Sequence, residues 1–65
     1  MKIIGKLGTH SSKEWTVPRK QKMPVKGERL LICNPAHGSK PFQVIVDEVL
    51  EEEPGVSPLY FLSRI

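Results

Sequence analysis

Apolar and polar positions alternate with period two in short runs along this chain, and turn-forming residues separate the runs. Residues 3–7 predict a strand at a sheet edge, weakened by Gly5 and Gly8. In residues 14–17, Trp15 and Val17 share one face and Pro18 ends the run. Residues 28–33 put Leu30 and Ile32 on one face and Leu31 and Cys33 on the other, which predicts a central strand buried on both sides. Residues 42–50 could group Ile45, Val46, Val49 and Leu50 on one side of a helix. Four of the nine are β-branched, however, and Glu51, Glu52 and Glu53 would then lie at the negative end of the helix dipole. The same segment reads as a strand that alternates Phe42, Val44 and Val46, then shifts phase near Asp47 and Glu48. A β-bulge there explains the shift and bends the strand.

Between these runs lie two long connections. Residues 18–27 hold two prolines, a glycine and four cations, an extended basic loop; residues 34–41 form a turn cluster by composition. Glu53-Pro54-Gly55 turns the chain, so residues 51–55 predict a solvated acidic hairpin tip. Ser57-Pro58 can start one short helical turn near the C-terminus, and residues 59–62 read as that turn or as a closing strand. The expectation is one all-β domain over residues 1–65, a small, strongly bent barrel of about five short strands. Val25-Lys26-Gly27-Glu28-Arg29-Leu30-Leu31-Ile32 resembles the approach to the second strand of Src-homology-3-like barrels, where such a run makes a turn and then a core strand. The strand at 42–50 and the Pro58-Leu59-Tyr60 turn follow in the same order, so the resemblance covers residues 23–65. The acidic aromatic N-terminal motif, the paired tryptophans and the Pro-x-Asn-Tyr turn of peptide-binding members are missing, and proline-rich ligands are not implied. What the resemblance implies is a topology, not a function.

Composition narrows the function classes. A chain of 65 residues buries only about 60% of the surface that it exposes unfolded, too little for two lobes around a catalytic cleft. Cys33 is the sole cysteine, so no intrachain disulfide staples the fold, and no apolar run approaches the ~18 residues of a membrane span. The N-terminal residues do not form a signal peptide. These features point to a soluble, reduced, cytoplasmic protein without a membrane partner. Its stability would come from a compact barrel, from homo-oligomerisation or from a partner.

Charge is distributed unevenly. Residues 1–40 carry nine Lys or Arg against two Glu, a net of +7, whereas residues 41–65 carry Arg64 against five acids, a net of −4. Lys13, Trp15, Arg19, Lys20, Lys22 and Lys26 place five cations and one large ring within fourteen residues, and Arg29 follows. An extended chain advances about 3.3 Å per residue, so its cations can meet successive phosphates, while a ring among them stacks on a base or braces a sugar. Trp15 also reads as the largest core residue of a domain with few aromatics. The pI of ≈ 9.3 agrees with nucleic acid, DNA or RNA, as partner.

Other clusters are poorer in chemistry. The acidic tip would repel phosphate, so a nucleic-acid surface must face away from it. One cysteine and two histidines, Cys33, His37 and His10, fall short of a zinc site, and Cys33 ends an apolar strand rather than standing at a helix N-terminus. No catalytic residue, metal ligand or cofactor follows from the residues. The sequence therefore reads as a non-enzymatic nucleic-acid binder, in size and layout like small regulatory or accessory proteins, including those of phages and plasmids. The alternative is an adaptor or inhibitor that engages a protein through the acidic hairpin and the apolar C-terminal cluster of Leu59, Tyr60, Phe61, Leu62 and Ile65.

Overall fold

The computed structural model describes residues 1–18, 21–34 and 40–65. Five strands form: β1 (Lys2–Leu7), β2 (Lys13–Thr16), β3 (Arg29–Ile32), β4 (Phe42–Leu50) and β5 (Leu59–Arg64). They make one curled mixed sheet in the order β2-β1-β5-β4-β3, a small all-β half-barrel. Its two ends touch at one point, where the Thr16 N–H donates to the Cys33 carbonyl at 2.9 Å and the Cys33 N–H returns the bond at 3.0 Å. Followed round this seam, every strand neighbours the next one in the chain. Five strands laid alternately up and down bring the first and last together in the same direction, hence the parallel β1–β5 pair among antiparallel ones.

Alternation in each strand builds the core. Ile3, Trp15, Val17, Leu30, Ile32, Val44, Val46, Tyr60 and Leu62 are buried on the concave face, with Met1, Leu7, Phe42 and Val49 packed against them. At the β4 bulge, Val46 pairs with Leu62 and Glu48 with Phe61, so Asp47 is the extra residue and accepts a hydrogen bond from the Ser63 hydroxyl. Beyond it the inward phase passes from Val44 and Val46 to Val49, the expected shift. The turn over residues 25–28 also forms, with Gly27 at φ 87° and the Glu28 N–H donating to the Val25 carbonyl at 3.1 Å.

Three expectations are corrected. The strand at 28–33 is not buried on both sides: β3 ends the sheet order, no second layer covers its convex face among the described residues, and Leu31 is 48% exposed. β1 is not at an edge, because the last strand returns beside it. The optional helical turn near the C-terminus does not form. The 51–58 connection turns at Gly55 (φ 84°), Pro58 is buried, and residues 59–64 pair as β5. Among the described residues no helix is long and apolar enough to cross a membrane.

Candidate functional site

Each strand extends its inward-facing series by one residue at the same end of the barrel. β1 brings Leu7, paired with Leu62, and β2 brings Lys13, in phase with Trp15 and paired with Gly5. Asn34 continues the phase of Ile32, β4 begins on Phe42 in phase with Val44, and β5 ends on Arg64, the partner of Val44. The β1–β2 loop adds His10, whose N–H donates to the Leu7 carbonyl at 3.1 Å. Gly8, at φ 59°, turns that loop and donates its N–H to the Leu62 carbonyl at 3.0 Å.

These residues line a depression of about 270 Å³ with Trp15 as its floor. The Arg64 guanidinium carbon lies 4.4 Å from the centroid of the Phe42 ring, and the Trp15 ring stands nearly perpendicular to Phe42 with centroids 6.0 Å apart. A second depression, about 460 Å³, shares Leu7, His10 and Arg64 with the first and continues past Thr9 and Ser63. Together they form a two-lobed groove with two cations, an imidazole and aromatic walls, and among the described residues no carboxylate lines either lobe. Asp47, held by Ser63, is the acid next to the second lobe. Such a groove can attract an extended anion and offer it a flat apolar surface.

The residues expected to bind nucleic acid are divided by the fold. Lys13 stands exposed at the groove. Trp15 lies beneath it, 6% exposed, its indole N–H donating to the Gly5 carbonyl at 3.0 Å; it supports the groove and has no open face for a stacked base. Lys22 is exposed, and Lys26 is exposed toward the other end of β4, where its Nζ lies 3.2 Å from Glu48 Oε2. Residues 23–26 there line a second groove with Glu48, Leu50, Glu51 and Tyr60. Arg29 is exposed at the start of β3, paired with Ile45 on the convex face. Arg19, Lys20 and His37 lie outside the described residues.

The groove also holds Leu7, His10, Asn34, Phe42 and Arg64, none of which the sequence places in a nucleic-acid site. A signal existed for two of them: Phe42 and Arg64 continue the alternations 42-44-46 and 60-62-64 to the strand ends, where the inward face opens to solvent. The tip at residues 51–53 lies beyond the far end of β4, eight residue steps or roughly 25 Å of strand from Phe42.

Elsewhere, burial raises the Tyr60 phenol above its usual 10.0, with Glu51 and then Glu28 adding to the shift. Its hydroxyl points to Met23 Sδ at 3.9 Å. Among the described residues no three His, Cys, Asp or Glu come together as metal ligands. No family model, no curated protein and no solved structure matches the chain.

Proposed function

We propose that this protein is a small, non-enzymatic nucleic-acid-binding module built on a Src-homology-3-like barrel, with its interface at the groove between Lys13, His10 and Arg64. The observation that carries this reading is the gathering of Lys13 and Arg64 at an aromatic-walled groove lined, among the described residues, by no carboxylate, at the end of the barrel away from Glu51, Glu52 and Glu53. Phosphate binding needs cations that are accessible and not already compensated. Lys13 and Arg64 are exposed, and among the described residues neither forms an ion pair; Lys26 is engaged by Glu48. Lys22 and Arg29 add longer-range attraction, and Arg19 and Lys20 belong to the reading on their sequence positions alone.

The test is a salt titration of binding to short DNA and RNA, single- and double-stranded, comparing wild type with Lys13→Glu/Arg64→Glu and Lys22→Glu/Lys26→Glu. The first pair should weaken binding at least tenfold and reduce the log–log salt slope by about 1.4–1.8, two phosphate contacts' worth. The second pair should leave most of the affinity. Absence of binding at low salt, where the attraction is strongest, overturns the reading.

A second reading, an adaptor that docks a protein segment, has one observation in its favour. Met23, Val25 and Leu50, 49%, 63% and 41% exposed, line the groove of about 610 Å³ at the acidic end, beside Glu48 and Glu51. It replaces the first reading if no nucleic acid binds.

A further inference from the structure

We infer that the smaller lobe of the groove accepts one unpaired base, stacked on Phe42 where the Arg64 guanidinium now rests, so that the protein selects single strands over duplexes. This inference rests on the nucleic-acid reading and specifies what that site recognises.

The Arg64–Phe42 contact carries it. A guanidinium carbon 4.4 Å from a ring centroid is a planar group lying against an aromatic face. Trp15 is perpendicular to Phe42, so it leaves the stacking position to Arg64. Arg64 is exposed and ends its strand, and it can leave the ring with little disturbance to the core. An exposed cation–π contact is weaker than base stacking on an aromatic ring, so a base can displace it. The released guanidinium, with Lys13 and His10 on the same groove, is then available to the phosphates on either side of that base.

Size and shape favour a single base. At about 270 Å³ the lobe falls below the range of about 300–1,000 Å³ typical of drug-sized ligands, which leaves room for one ring system. The adjoining lobe, sharing His10 and Arg64, provides a path for the backbone to continue. In a duplex the bases are paired and stacked with one another, and reaching this ring would require extruding one. Stacking uses the π-face that every base has, so the site tolerates sequence.

The experiment compares three probes on the full chain at one ionic strength: an eight-nucleotide oligothymidylate, an abasic strand of equal length and charge, and a duplex of the same length. Oligothymidylate should bind at least about fivefold more tightly than the abasic strand, as expected for one stacked base. Trp15 fluorescence should change only with the base-bearing strand. Phe42→Leu, which keeps an apolar side chain without the ring, should erase the difference between the base-bearing and abasic strands. Equal binding of the base-bearing and abasic strands overturns the inference while the electrostatic reading stands. Tighter binding to the duplex also overturns it. If none of the three probes binds at low salt, both readings fall. The comparison of probes needs no variant, so it decides even if Phe42→Leu does not fold.

Discussion

At the scale of single residues, Gly5 and Tyr60 show how closely this small core is fitted. A Cβ on Gly5 would lie 2.8 Å from Leu62 Cδ1 and 3.2 Å from Trp15 Cδ1, and both neighbours are buried. Read from the sequence, Gly5 is a weakness in β1; in the structure its missing side chain lets the Trp15 ring and Leu62 close over the strand. Gly5→Ala should therefore destabilise by about 1–3 kcal/mol through overpacking. Urea denaturation followed by Trp15 fluorescence measures this, and an unchanged midpoint would show that Leu62 yields freely. Tyr60 makes a prediction about pH. Its folded-state value is raised, so the contribution to stability is complete below the unfolded value near 10 and is lost as pH rises through the folded value. Thermal melts of wild type and Tyr60→Phe should run parallel up to about pH 10. Above it, wild type should lose stability faster, because lysine titration affects both proteins and only one must ionise a buried phenol.

At the scale of elements, the strands were largely legible because their alternations are long enough to show phase. The bulge in β4 was visible as a break in that phase, and the structure places the extra residue at Asp47. Which strand lies beside which was less legible. Leu31 and Cys33 are apolar, like residues of a doubly covered strand, yet among the described residues no second layer packs on β3 of the single curled sheet, and Leu31 is exposed. The parallel return of β5 beside β1 depends on closing the ring, and closure is a property of all five strands together. The seam between β2 and β3 is the weakest join among the described residues, two hydrogen bonds at Thr16 and Cys33, whereas β4 and β5 pair along six register positions. Hydrogen exchange should reflect this. The amides of Thr16 and Cys33 should exchange by local opening, with protection at least roughly tenfold below that of Val46 or Leu62. Equal protection would mean that the barrel opens only as a unit.

For the whole molecule, what matters is where the charge goes. The basic first forty residues and acidic last twenty-five do not become two faces. Instead β4 and β5 run the length of the barrel, carrying Phe42 and Arg64 at one end and leading to Glu51, Glu52 and Glu53 at the other. Lys26 of the basic loop thereby lies toward the opposite end of β4 from Lys13, and it meets an acid that the sequence suggested the loop should avoid, as the Lys26–Glu48 pair shows. Such an exposed pair contributes at most about 1 kcal/mol, but it compensates the lysine's charge locally. Arg64, the lone cation of an acidic segment, comes to stand with Lys13, 51 positions earlier in the chain.

Local chemistry, read from the sequence by itself, determined the all-β class, the strands at 14–17 and 42–50, the turn before β3, the bulge and the division of charge. Each depends on neighbours a few residues apart, through pleat, turn conformation and phase. Tertiary structure decided the order of strands, the exposure of Leu31 and the grouping of His10, Lys13, Phe42 and Arg64 around one groove. Those outcomes require residues far apart in the chain to arrive at the same end of one curled sheet, and only pairing of all the strands brings them there.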